Sequence, residues 1–270
     1  MTDPTRMCET CGGDLAASED WVRHCPRCAG VPEKPQLSFL SEQGYHLEFA
    51  NSPAPLGFEH SVGGPHEVAG AACNGHGCNR PFIRLLTLDL RDPKLSFISR
   101  FKREAAGRVA AYQLPLYYCW ACGGWPTYRL EPTGHVTVIG RSSTGPEKDF
   151  PYPDYPAHFP ERRAVLTPIP TEVQRIIREA NAGTLDPDLR FDSPHETHLR
   201  PHHQVGGSPY FVQGTYECND CPGCGGLMKV LASVAADSGS EKPFVDDPFT
   251  QVVFDYCAPC LIVSASHQCT

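Results

Sequence analysis

Short apolar segments separated by turn residues predict that this chain of 270 residues is built mostly from β-strands. Its 27 prolines and 24 glycines leave room for few long helices. Segments rich in leucine, β-branched and aromatic residues, which are typical of strands, occur at 37–50, 81–90, 114–120, 134–140, 214–221 and 249–257. The pattern therefore predicts a mostly β fold of the α+β class.

One segment, TEVQRIIREANAG, has the periodicity of an amphipathic helix. Thr171 is expected to cap its start, and Gly183 is expected to end it. We therefore predict one main helix near 171–182, with an apolar stripe formed by Val173, Ile176 and Ile177.

The motif VGG occurs twice, at 62–64 and at 205–207. After each copy the chain has an apolar run, a cysteine pair, an apolar strand, a variable excursion and an aromatic strand that enters a second cysteine pair. This repeated order indicates an internal duplication. We predict a first repeat at 36–150 and a second at 151–270, packed together as one pseudo-symmetric body because neither repeat has much core of its own.

Fourteen cysteines are the most informative chemical feature of the sequence. The first residues lack the basic and apolar segments of a secretory signal, so we expect a cytoplasmic protein whose cysteines bind metal. Two C-x2-C pairs near the start predict a zinc ribbon within 1–35. The four ligands of this ribbon would be Cys8, Cys11, Cys25 and Cys28.

Each repeat also contains a set of four cysteines of its own. The set in the first repeat is Cys73, Cys78, Cys119 and Cys122, and the set in the second repeat is Cys221, Cys224, Cys257 and Cys260. The three sets predict three Zn²⁺ ions. Each ion would be saturated by four protein ligands and would therefore be structural, because a catalytic zinc ion keeps one position open.

Several alternatives to these ligand sets remain open. Cys218 lies close enough in sequence to replace Cys221, and His76 lies close enough to replace Cys78. Cys269 also stands outside the three sets. A C-x2-C pair can form a redox-active disulfide instead of binding metal, although three paired sets fit zinc better.

The charge of the chain is unevenly distributed. The formal net charge of −8 argues against binding of nucleic acid by the whole surface. Between Arg80 and Arg108, eight basic residues stand against three acidic ones, whereas from Glu217 onwards seven acidic residues stand against two basic ones. The acidic second repeat would suit a basic protein client. The candidate partner-binding residues are Asp246, Asp247 and Asp255.

Two other functions compete with protein binding. One is an RNA- or DNA-associated factor that uses the ribbon and the basic stretch, but segment 1–35 has six acidic and only four basic residues, which suits phosphate poorly. The other is a metal-dependent hydrolase that uses the histidines of HETHLRPHH (195–203). That segment lacks the H-E-x-x-H spacing, and the sequence has no phosphate-loop or nucleophile-elbow motif. We therefore expect no enzymatic activity.

The order of motifs resembles the programmed-cell-death-protein-two family and its bacterial YwqG-like relatives. The resemblance covers roughly residue 38 to the end of the chain and is most specific in the second copy, at His203, Gly206, Gly207, Pro209 and Gln213. It implies a non-enzymatic, duplicated module in which His203 is structural. Because eukaryotic members act as chaperones for a nascent ribosomal protein, the resemblance implies a chaperone-like or adaptor-like protein with a basic client.

Overall fold

The computed structural model describes residues 37–50, 57–66, 68, 70–73, 78, 80–98, 112–120, 125–131, 135–141, 157–186, 196–214, 216–236 and 250–269. All of these residues belong to one unit of the chain, Leu37–Thr270. The predicted ribbon at 1–35 lies outside the described residues.

Eleven strands form one antiparallel sheet, in the order β4-β3-β2-β7-β1-β8-β9-β10-β11-β5-β6. This architecture confirms the predicted mostly β fold. The strands are β1 (Tyr45–Phe49), β2 (His60–Val62), β3 (Ile83–Asp89), β4 (Gln113–Tyr118), β5 (Pro126–Leu130), β6 (Val136–Arg141), β7 (Arg162–Pro168), β8 (Gln204–Val205), β9 (Lys229–Ala235), β10 (Gln251–Cys257) and β11 (Ile262–Gln268).

The two predicted repeats are equivalent in the register of their strands. In the first copy β2 pairs with β3, and in the second β8 pairs with β9, so that Ser61 lies opposite Thr87 and Gln204 opposite Ser233. Both β3 and β9 then pair with the aromatic strand of their own copy, β4 or β10. The same order of paired strands therefore occurs in both copies.

Even an irregularity of the sheet occurs in both copies. On β3, Arg84 pairs with Tyr117 and Leu86 pairs with Leu116, so Leu85 between them forms a bulge opposite β4. On β9, Leu231 forms a bulge opposite β10 at the equivalent position. Because a β-bulge changes the direction and twist of a strand, its presence at the same position is a further likeness between the two copies.

The two copies exchange their first strands. Strand β1 precedes the first copy in the chain but pairs with β8 of the second. Strand β7 precedes the second copy but pairs with β2 of the first. These two strands also pair with each other, with Leu47 opposite Leu166. Neither half can therefore leave the sheet without breaking backbone hydrogen bonds to the other half.

Helix α1 (Thr171–Asn181) confirms the predicted main helix, and its apolar stripe is buried. Thr171 is nevertheless the first helical residue and not the cap. The cap position belongs to Pro170, which makes no side-chain hydrogen bond to the helix. The predicted capping role of Thr171 is therefore wrong, whereas Gly183 follows the helix with a φ of +71°, as expected of a terminating glycine.

Segment 214–221 was predicted to be a strand, and this prediction is wrong. Within its described part, only Asp220 makes an isolated bridge, with Leu227. Tyr216 instead stacks on Phe211, with ring centroids 4.8 Å apart. Both aromatic residues pack beside Val253, so the segment covers one face of β10 and does not extend the sheet.

Candidate metal centres

Four cysteines of the second repeat meet at one point. Cys221 and Cys224 lie in the turn before β9, Cys257 is the last residue of β10, and Cys260 lies in the turn before β11. Their four sulfur atoms all lie within 4.8 Å of one another. Since the two turns are brought together by the β9–β10 pairing, the sheet itself assembles the cluster.

The spacing of the sulfur atoms fits a tetrahedral metal ion. The Sγ atoms of Cys224 and Cys257 are 3.7 Å apart. A tetrahedron with metal–sulfur bonds of about 2.3 Å has edges of about 3.8 Å, whereas the sulfur atoms of a disulfide are about 2.05 Å apart. None of the nine described cysteines forms a disulfide. The cluster can therefore hold a metal ion through four sulfur atoms.

Gly223 packs closely against the second turn of this cluster. A Cβ atom on Gly223 would lie 3.1 Å from the Sγ atom of Cys260 and 2.9 Å from the side chain of Ile262. The Gly223 N–H donates a hydrogen bond to the Sγ atom of Cys221, at 3.4 Å. Such N–H···S contacts favour a charged thiolate, which is the form that binds metal.

The first repeat contains an equivalent cluster. Cys73, Cys78 and Cys119 lie with their sulfur atoms within 4.8 Å of one another. The Sγ atoms of Cys78 and Cys119, which are equivalent to those of Cys224 and Cys257, are 3.8 Å apart. The fourth predicted ligand, Cys122, lies outside the described residues.

Backbone hydrogen bonds show which cysteines correspond. The N–H of Cys73 donates to the carbonyl of Arg80, and the N–H of Cys221 donates to the carbonyl of Gly226, both at 2.9 Å. Because each bond closes the same turn in its own copy, Cys73 corresponds to Cys221 and not to Cys218.

The remaining alternatives for ligands lie elsewhere or are not described. Cys218 packs against Phe211 and Val230, apart from the cluster, and burial raises the pKa of its thiol to about 11. Cys269 is exposed and is not part of either cluster. His76 lies outside the described residues, as do the ribbon cysteines.

The predicted partner-binding residues do not form one described surface. Asp246 and Asp247 lie outside the described residues. Asp255 is fully buried in β10, where its carboxylate accepts hydrogen bonds from the backbone and side-chain N–H groups of Asn219 at 3.1 and 3.0 Å. The prediction that Asp255 faces a partner is therefore wrong. Burial raises its pKa to about 6, and the contact with Asn219 ties β10 to the metal-binding turn.

The histidines of 195–203 do not form a metal cluster in the part of the chain that the structure describes. His203 accepts a hydrogen bond from the N–H of Ala235 through Nδ1, at 3.2 Å. His60 of the first copy accepts the equivalent bond from Asp89, at 3.1 Å. The two histidines thus hold the same position in each half of the sheet. His195 lies outside the described residues.

Three described basic residues of the stretch make contacts within the protein. Arg84 forms an ion pair with Glu161 at 3.1 Å, and Arg91 forms one with Asp89 at 2.6 Å. The Nζ atom of Lys94 donates to a backbone carbonyl. These contacts reduce the positive charge that the stretch can offer to a ligand. Residues 99–111, which contain four more of its basic residues, lie outside the described part.

Comparison of the sequence with protein families, curated proteins and solved structures finds no match. In the described part of the chain, no helix has the length and apolar character needed to cross a membrane. The two cysteine clusters and the charges around them are therefore the features that bear on function.

Proposed function

We propose that this chain is a non-enzymatic protein-binding module whose body is stabilised by two structural Zn²⁺ ions, with a third ion in the ribbon at 1–35. The observation that carries the proposal is the equivalence of the two clusters. Each brings the same pair of sulfur atoms to within 3.7 or 3.8 Å, the separation that a tetrahedral zinc site requires.

Four sulfur ligands favour zinc and a structural role. Thiolates are soft ligands, and tetrahedral four-sulfur sites are typical of zinc or iron–sulfur centres. A bound ion of this kind supplies a cross-link between the two turns of each copy. With four cysteines around each ion no coordination position is left for water or substrate, which favours a stabilising role over a catalytic one.

A basic protein client suits this chain better than nucleic acid. The net charge is −8, and the second repeat, with 15 acidic and 8 basic residues, carries most of it. Two arginines of the basic stretch, Arg84 and Arg91, are paired with carboxylates. Complementary charge would speed association with a basic client. The resemblance to the programmed-cell-death-protein-two family favours a chaperone-like or adaptor-like role in the cytoplasm.

Affinity purification of the full chain from its own cells, followed by mass spectrometry and RNA analysis, tests this proposal. We expect one dominant basic protein. Association with that protein should slow by about tenfold at low salt when Asp246 and Asp247 are both changed to lysine, because complementary charges act mainly on the on-rate.

The matched control reverses the basic stretch at Arg100, Lys102 and Arg103. This variant should bind the client at nearly the parent rate. Loss of binding in the control alone, or recovery of RNA with a steep salt dependence, would instead identify the alternative function of an RNA- or DNA-associated factor.

A further inference from the structure

The two cysteine clusters share their ligand pattern but differ in their access to solvent. In the second cluster Cys224 is exposed and Cys260 is half-buried. In the first cluster Cys73 and Cys119 are buried, and Cys78 is half-buried. A reagent dissolved in water therefore reaches Cys224 more easily than the described cysteines of the first cluster.

The surroundings of the clusters differ in the same way. Cys73 and Cys119 belong to the main hydrophobic core of the sheet. Strand β6 also lies against the turn that leads to Cys73, since a Cβ atom on Gly70 would lie 2.0 Å from the carbonyl oxygen of Val136. The second cluster instead belongs to a small separate group of buried residues, namely Cys221, Met228, Cys257 and Ile262.

We propose that Cys224 and Cys260 form a reversible oxidation site, at which a hydroperoxide converts the two thiolates into a disulfide and ends their binding of metal. The inference rests on the zinc site proposed above. It assigns the second cluster a regulatory property that distinguishes it from the described, less exposed cysteines of the first cluster.

The geometry selects this pair among the four cysteines. Cys224 is the most exposed of them and therefore meets the oxidant first. Cys221 and Cys257 are shielded by Met228 and Ile262. The sulfur atom of Cys260 lies within 4.8 Å of that of Cys224, so it can resolve the first oxidation product after a small movement of the two exposed turns.

The chemistry requires only the peroxide as a second reactant. The Cys224 thiolate attacks one peroxide oxygen, and the O–O bond breaks to give a sulfenic acid and hydroxide. The Cys260 thiolate then attacks the Cys224 sulfur, and the sulfenic oxygen leaves as a second hydroxide. The two sulfur atoms lose two electrons in total, and the peroxide becomes two molecules of water after taking up two protons.

The test uses the full chain with Cys269→Ser, which removes the exposed thiol outside the clusters. Elemental analysis first establishes its zinc content. The protein is then treated with a few equivalents of hydrogen peroxide. Zinc release is followed with a chromogenic chelator, and each cysteine is followed by differential alkylation and peptide mass spectrometry. The first cluster provides the internal control, since its Cys73, Cys78 and Cys119 have the same ligand chemistry.

We expect release of one zinc ion together with a peptide linked through Cys224 and Cys260. Thiol loss at these two residues should be at least about tenfold faster than at the first cluster, because exposure governs the access of oxidant to thiolates. Dithiothreitol and added Zn²⁺ should restore both thiols and the metal.

Three results would overturn the inference: equal rates in the two clusters, oxidation confined to the ribbon, or a disulfide that joins Cys221 to Cys257. These results would leave the proposed function intact as long as zinc is present. A chain that contains no zinc in the first analysis would instead refute the proposed zinc function itself.

Discussion

Alanine at Gly63 or at Gly206 would test the equivalence of the two copies at a point where both backbones are crowded. Both glycines follow the valine of a VGG motif, and their φ angles are +76° and +65°. A Cβ atom on Gly63 would lie 2.5 Å from the carbonyl oxygen of Pro160, and one on Gly206 would lie 2.6 Å from that of Gln43. The two turns therefore meet the same obstacle, a backbone oxygen at the same place.

The cost of each substitution has two parts. A left-handed φ costs a residue with a Cβ atom about 1 to 2 kcal/mol, and the forced movement of packed backbone costs about 1 to 3 kcal/mol. Alanine also lowers the entropy of the unfolded chain, which offsets about 0.4 to 1 kcal/mol. We therefore expect a loss of about 2 to 4 kcal/mol in the free energy of unfolding for either variant.

Gly183 offers a matched control, because its φ is +71° and no atom lies within 4 Å of the Cβ position. Gly183→Ala should cost only about 1 kcal/mol or less. In thermal unfolding followed by circular dichroism, Gly63→Ala and Gly206→Ala should lower Tm by about 4 to 16 °C, and by similar amounts. If Gly206→Ala behaves like the control while Gly63→Ala does not, the two turns are not equivalent and the reasoning is refuted.

Three further predictions concern metal and pH. Protein purified without added metal should contain three zinc ions per chain by elemental analysis, and a value near one would leave only the ribbon as a zinc site. Cys119→Ser or Cys257→Ser should give insoluble or molten protein, because zinc binding is coupled to folding by about 10 kcal/mol or more in small domains. The control variant Cys8→Ser, in the ribbon, should leave the body folded. A Tm equal to that of the parent for Cys119→Ser or Cys257→Ser would contradict this prediction. Burial and, to a smaller extent, the nearby His202 lower the pKa of His46 to about 4. The unfolded chain therefore protonates this imidazole more readily than the folded chain does, and the stability falls as the pH drops from about 6.5 to 4. In urea titrations at several pH values, His46→Asn should remove about 2 to 3 kcal/mol of this pH dependence, and an unchanged dependence would refute the assignment.

The repeated order of motifs could be predicted from the sequence because each motif is short and lies within a few residues of the chain. The VGG motif and the cysteine pairs are short, and they keep their order along the chain. The equivalent strands β3 and β9 were also predicted, since apolar runs follow the first cysteine pair of each copy. The match extends to the bulges at Leu85 and Leu231, which no spacing in the sequence indicates.

The exchange of first strands could not be predicted from the sequence. Strands β1 and β7 carry no shared motif, and their sequences, YHLEF and RRAVLTP, show neither which copy they belong to nor which they pair with. Backbone hydrogen bonds between residues more than 100 positions apart decide that pairing. Such bonds depend on how the whole sheet closes and not on local composition.

The charge of Asp255 led to a prediction of exposure, and this inference failed for a physical reason. A carboxylate is normally exposed, because burial of a charge is costly. Strand β10, however, lies between β9 and β11, and all seven of its residues are buried. Asn219 supplies two N–H donors to the carboxylate. The signal for this contact lies in three dimensions, since 36 positions separate the two residues.

The symmetry between the copies ends at the outer side of β4 and β10. Val253 of β10 pairs with Ser266 of β11, whereas the equivalent Pro115 of β4 pairs on that side with no described strand. Proline has no N–H to offer there, so it suits an edge. The next outward N–H, that of Tyr117, donates instead to the hydroxyl of Tyr128 at 2.7 Å. The Tyr128 side chain thus accepts a hydrogen bond from the outer side of β4, whereas the outer side of β10 pairs with strand β11. The perimeter of the sheet therefore differs between the two copies, although the pairing at their cores is alike.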